Sequence, residues 1–253
     1  MAINNVPLSE KSREFLEELR VYLFSSGKKE DEIDEIVEEL EVHLLEAEEQ
    51  GKPIEKVVGD SPKAYMEQLS SVMDIDTKTW FKYALIIILG SFSFKIIGDL
   101  LRGELSYSIL AIIGHIVISG MFILGLFGAF RYISARQVSN VKQFFTLAIV
   151  GGAPFLLFFG LIFLDRSVET PVFHFGQIGS IIIGVLTLLF VAAISIWSKS
   201  WVIPIILALL YLPELILNQT GLEKTTVITV SLFITYGGLA VYLIFVNKKL
   251  NRE

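Results

Sequence analysis

The spacing of apolar residues changes character near residue 77. Before that point they are intermittent: Phe15, Leu16, Leu19, Tyr22 and Leu23 recur at helical spacing between charged residues. This predicts an amphipathic helix over Ser9–Phe24, ended by Ser25-Ser26-Gly27. A second helix is expected over Glu30–Gln50, with Ile33, Ile36, Val37, Leu40 and Leu44 on one stripe. Gly51 suits the position just past its end, and Pro53 prevents its continuation. Ile54, Val57 and Val58 form the inner side of a short turn. Gly59-Asp60-Ser61-Pro62 then reads as a helix start: Asp60 or Ser61 can accept a bond from an orphan amide, and Pro62 fits the first turn. Tyr65, Met66 and Leu69 face inward from that last helix.

Beyond residue 77 the apolar runs are nearly continuous. A membrane crossing needs about 20 apolar residues. Six segments qualify: Trp80–Gly98, Tyr107–Phe130, Phe144–Leu164, Gln177–Trp197, Val202–Leu217 and Thr225–Val246. The fifth is short, with Pro204 and Pro213 near its ends. Gly151-Gly152-Ala153-Pro154 predicts a kink early in the third, with a broken-helix binding site as the sharper alternative. Gly125 and Ala129, and Ser180 and Gly184, leave shallow grooves for neighbouring helices.

Charge divides the chain at the same place. Residues 1–76 hold 20 of the 27 acids and 8 of the 21 bases, a balance of −12, whereas residues 77–253 carry +6. Mean hydropathy is +0.62, with 19 Phe, so the chain is not an ordinary soluble globule. The expected architecture is all-α: a small acidic cytoplasmic domain of three to four helices over residues 1–76, then a six-helix transmembrane bundle over 77–253. With the head inside, the inner flanks carry Lys78, Lys82, Arg131, Arg136, Lys142, Lys199, Lys248, Lys249 and Arg252. The outer flanks carry only Lys95, Arg102, Arg166 and Lys224. Nine against four places both termini in the cytoplasm of a multi-pass plasma-membrane protein, with Trp80, Tyr132, Trp197 and Trp201 as an inner belt.

Two groups of residues invite a functional reading. On the second helix, Glu38, Glu39, Glu41, Glu46, Glu48 and Glu49 form an acidic face. Nothing apolar surrounds them to raise a pKa, so they suit solvation and a protein partner rather than acid–base chemistry. In the membrane part, Lys95, Asp99, His115 and Glu214 fall in the outer half or at the outer rim. Charges at membrane depth point to function by default. Lys95 and Glu214, with His115 near, would line an outward-facing polar cavity; the competing reading is that the acids and the lysine snorkel to headgroups while His115 bonds a neighbouring helix.

Several chemistries are excluded. With no cysteine there is no disulfide framework and no thiolate site. His43, His115 and His174 fall in three separate places, so no metal site is expected. No hydrolase, metalloprotease or phosphate-loop motif is present, no cofactor is implied, and a non-enzymatic role is expected. The acidic head is unsuited to direct nucleic-acid binding. No secretory signal is expected, and neither Ala2 nor the Leu250–Glu253 end provides a lipidation motif.

Phe15-Leu16-Glu17-Glu18-Leu19, Ile36–His43 and Val57-Val58-Gly59-Asp60-Ser61-Pro62-Lys63-Ala64-Tyr65 resemble the HAAS family, the helix-turn-helix-associated α-helical signalling domain. The likeness covers about residues 10–72, and the turn at Gly59–Pro62 has one residue more than the family's Gly-Asp-Pro. The resemblance implies a cytoplasmic, acidic, all-helical module at the N-terminus of bacterial membrane proteins, often encoded beside PadR-like repressors. It further implies a regulatory or signalling role through a cytoplasmic protein partner of residues 1–76. Similar modules precede some permeases, so the alternative is a transporter or permease accessory subunit. Homo-oligomerisation stays open.

Overall fold

The protein is described by a computed structural model over residues 8–136 and 138–250. Its first helix, α1 (Glu10–Ser25), begins where the Ser9 hydroxyl accepts the Ser12 amide at 3.3 Å. Phe15, Leu16, Leu19 and Leu23 on α1 are all but sealed from solvent. They meet Ile33, Val37, Leu40 and Leu44 of α2 (Glu30–Glu49). The chain leaves α2 through Gly51 at φ +70, with the Lys52 amide donating to the Ala47 carbonyl at 2.9 Å. After α3 (Glu55–Val58), Ser61 and not Asp60 caps α4 (Pro62–Val72), its hydroxyl accepting the Ala64 amide at 3.2 Å. Met66 closes the core from α4.

Two compact units make up the fold. The first runs to Ile88 and resumes over Ile109–Thr170. Besides α1–α4 it contains the start of α5 (Thr77–Leu100), then α6 (Ile109–Arg136) and α7 (Asn140–Ser167). Ala135, in the last turn of α6, is part of the same apolar core as α1 and α2. Helices α6 and α7 approach closely where α6 lacks a side chain: a Cβ at Gly114 would lie 2.4 Å from Leu161 Cδ1, and one at Gly125 3.5 Å from Val150. The small-residue groove expected at Gly125 is thus filled by ordinary helix packing. Helix α7 continues unbroken through Pro154.

The second unit comprises Leu89–Ser108 and the chain from Pro171 onward. It contains the end of α5, β1 (Ser106–Ser108), β2 (Val172–His174), α8 (Gly176–Trp197), α9 (Val202–Leu217) and α10 (Lys224–Leu250). Strands β1 and β2 pair antiparallel with Tyr107 opposite Phe173, an element absent from the helical expectation. Ser180 receives the Leu105 amide at 2.8 Å and donates to the Gly176 carbonyl at 2.6 Å. One turn later, a Cβ at Gly184 would lie 2.4 Å from Leu100, so the second small-residue groove is also filled. Along α9 and α10, Thr235 donates to the Leu209 carbonyl at 2.7 Å.

Helices α5, α6, α7, α8 and α10 are long and apolar enough to cross a membrane. The sixteen residues of α9 reach only about 24 Å. The chain is a helical multi-pass membrane protein with an N-terminal helical domain.

Candidate functional site

The acidic face of α2 divides by exposure. Glu38, Glu39, Glu46 and Glu49 are exposed, whereas Glu41 and Glu48 are half-buried. Glu39 lies 3.7 Å from His43 Nε2 one turn on, which places His43 on the exposed side of the helix. Glu48 is engaged inside the domain. The Ser9 amide donates to its Oε2 at 2.9 Å, and the Ser9 and Ser12 hydroxyls both donate to its Oε1. Burial pushes the Glu48 carboxyl up, but these bonds together outweigh it and hold the group below the usual carboxylate range. Glu48 therefore fastens the start of α1 to the end of α2.

The segment after α4 is also fastened. Ser70 to Val72 belong to α4 and Thr77 already to α5, which leaves Met73–Asp76 as the connection. Ile75 forms an antiparallel bridge with Lys28, whose ammonium donates to the Met73 carbonyl at 2.8 Å. The Asp76 amide donates to the Gly27 carbonyl at 2.8 Å. Asp76 caps α5 by accepting the Thr79 amide at 3.0 Å, and bonds from Thr79 hold its carboxyl low.

Trp80 follows one turn into α5. Its ring packs against Phe127 of α6 at a 4.1 Å centroid distance, tilted by 50°, and fills the space over Gly27. Phe24 approaches the same Phe127 at 6.1 Å, and Arg131 lies 5.7 Å from the Tyr22 ring. Through these contacts α1 and the α1–α2 turn are seated on the ends of α5 and α6. Composition marks Trp80 only as a belt residue and Gly27 only as a helix breaker. The one sequence signal for their meeting is a glycine placed where the chain must turn.

Of the four charged or polar residues at membrane depth, three fall in the second unit. Lys95 donates to Asp99 one turn on, at 2.8 Å, and lies 5.0 Å from the Tyr107 ring centroid. Glu214 is half-buried on α9. Among the described residues no ion pair joins it to Lys95. The Tyr211 phenol, which donates to the Phe94 carbonyl at 2.6 Å, lies within electrostatic reach of Arg102, Asp99 and Glu214. His115 belongs to the first unit, where it is buried and faces Phe158 at 4.8 Å. Among the described residues no cluster of three metal-ligating side chains occurs. Ala2 and Arg252 lie outside the described residues, as does the Lys249 side chain.

Comparison with protein families matches residues 14–60 to the model described as HAAS and residues 94–210 to the one described as HAAS transmembrane region. The first match runs from α1 to the turn before α4, the second from the last two turns of α5 into α9. No curated protein and no solved structure matches the chain.

Proposed function

We propose a regulatory role for this chain, which is a HAAS-domain membrane protein: residues 1–76 form a cytoplasmic, non-catalytic head that binds a protein partner, and residues 77–253 anchor it by six spans with both termini inside. The observation that carries this reading is the joint at Gly27, Trp80 and Phe127. It seats the head on two membrane helices through packed rings and backbone hydrogen bonds. A head held this way follows a displacement of α5 or α6 as a change in its own position or exposure. The exposed carboxylates Glu38, Glu39, Glu46 and Glu49 then supply a surface for a basic partner, with Glu41 at its edge. A PadR-like repressor is the partner that the family resemblance suggests. Complementary charge speeds such an encounter, and salt weakens it.

The six-span count requires α9 to cross. Its length falls short of the hydrocarbon core, but Trp201 at its start can anchor in the interface and the bilayer can thin locally. The test of function is co-purification of a PadR-like repressor with the full chain in lipid nanodiscs. The expected result is retention at low salt, release at high salt, and loss in a Glu38→Gln/Glu39→Gln/Glu46→Gln/Glu49→Gln variant. Retention indifferent to both salt and the variant would remove the acidic face from the role.

A further inference from the structure

Helix α1 carries a second acidic stripe, apart from the acidic face of α2. Glu14, Glu17, Glu18 and Val21 follow the i, i+3, i+4, i+7 spacing of one helix face, apart from the buried stripe of Phe15, Leu16 and Leu19. They form one wall of a cavity of about 380 Å³ at the end of α6 and the beginning of α7. Phe130 and Ile133 from α6 and Leu147 from α7 give it an apolar floor. Among the described residues lining it there are three acids and no base.

We infer that this groove receives a basic amphipathic helix of a partner protein, with cationic side chains on Glu14 and Glu17 and an apolar side chain on the Phe130–Ile133 floor. Two features select this occupant. The wall and the floor ask for positive charge and apolar surface on adjacent sides of one element, which a helix with a basic face supplies in a single turn pattern. The groove also lies where α6 ends and α7 begins, beside Asn140, at the end of the apolar runs. Anionic lipid headgroups at that level repel the glutamates but attract a basic amphipathic helix, which lies along a membrane surface at the depth of the groove. The inference rests on the reading of the head as a protein-binding domain and adds a contact separate from the face on α2.

The test uses the full chain in phosphatidylcholine nanodiscs. The probe is a labelled helical peptide of about 18 residues, five turns, with Lys on one face and Leu on the other. Its control has the same composition reordered so that no face remains. The expected result is binding about tenfold tighter than the control and tighter than to empty nanodiscs, weakened about tenfold by Glu14→Gln/Glu17→Gln and by raising salt to about 1 M. The α2 quadruple Gln variant should bind the peptide as the wild type does. Both altered α1 residues are exposed, so the variant should melt with the wild type. Unchanged binding by the α1 variant overturns the inference. So does loss of the peptide in the α2 variant alone, which would leave the proposed function standing. Peptide bound in the groove by a chain that captures no PadR-like partner would fail that function and keep this site. A wild-type dimer that excludes the peptide, and becomes monomeric in the α1 variant, would make a second copy the occupant and overturn the inference too.

Discussion

Trp80 occupies the space a side chain at Gly27 would need: a Cβ there would lie 2.3 Å from its Nε1. Gly27 is also at φ +79, a conformation costly for any residue with a Cβ. One residue thus meets two demands, a left-handed turn between α1 and α2 and an open face for the first ring of a membrane helix. The backbone bond from Asp76 to the same glycine locks the register of that approach.

Gly27→Ala should therefore cost more than an ordinary left-handed glycine. Gly51 has φ +70 with open space around its missing side chain, so Gly51→Ala isolates the backbone penalty, about 1–2 kcal/mol. Gly27→Ala should exceed it by about 1 kcal/mol, because Trp80 must leave its contact with Phe127. Thermal unfolding followed by circular dichroism gives the comparison. In a Trp80→Ala background the excess should vanish. An excess that persists would put the cost of Gly27→Ala somewhere other than the ring.

How far sequence reaches depends on the range of the interaction. The α1 and α2 stripes are legible because each helix reports its buried side through spacing alone: Phe15, Leu16, Leu19, Ile33, Val37 and Leu44 are all in the core. The apolar runs locate the membrane helices within a few residues, and the fifth run coincides with α9. Long-range partnerships are not encoded this way. Ser106–Ser108 and Val172–His174 are three-residue strands, too short for alternation to show, and each exists because the other is present. Trp80 beside a lysine-flanked helix end carries the signature of a membrane belt whether or not a glycine waits opposite. Glu48 looks like its acidic neighbours until Ser9 and Ser12 are seen to bond it. The α1 stripe of Glu14, Glu17 and Glu18 does repeat at helical spacing, and that signal was available.

Glu48 makes the head sensitive to acid. Its folded pKa lies below its ordinary value, so its contribution to stability is complete above the unfolded pKa and is lost as pH falls through the folded one. Urea unfolding of the wild type and Glu48→Gln should differ clearly at pH 7 and converge on acidification below the usual carboxylate range. The exposed control Glu46→Gln should change stability at pH 7 by much less than Glu48→Gln does. Parallel pH profiles for Glu48→Gln and the wild type would mean that the Ser9 and Ser12 bonds contribute nothing through ionisation.

The absence of cysteine makes topology directly measurable, since each introduced thiol is the only one. With six spans and an internal head, Gln68→Cys and Ser198→Cys should react with a membrane-impermeant maleimide only after permeabilisation. Glu169→Cys and Thr220→Cys should react on intact cells. All four positions are exposed. The pair Ser198 and Thr220 flanks α9 and reports on it alone: protection of both would make α9 a helix that enters without crossing.

Lys95 tests what the charged residues at membrane depth are for. Two arrangements compete for its ammonium: the local one, with Asp99 at 2.8 Å on the same helix, and a cavity shared with Glu214 on α9. The local pair is a half-exposed i,i+4 contact, with side chains 42% and 30% exposed, so its value belongs near the lower end for ion pairs, about 0.5 kcal/mol. A double-mutant cycle separates the alternatives, because coupling appears only between groups that interact. Lys95→Met with Asp99→Asn should fall short of the sum of the single effects by about 0.5 kcal/mol. Lys95→Met with Glu214→Gln should be additive within that same margin. Stronger coupling of Lys95 to Glu214 than to Asp99 would support an outward-facing cavity shared by the two, and with it the case for a ligand entering from that side.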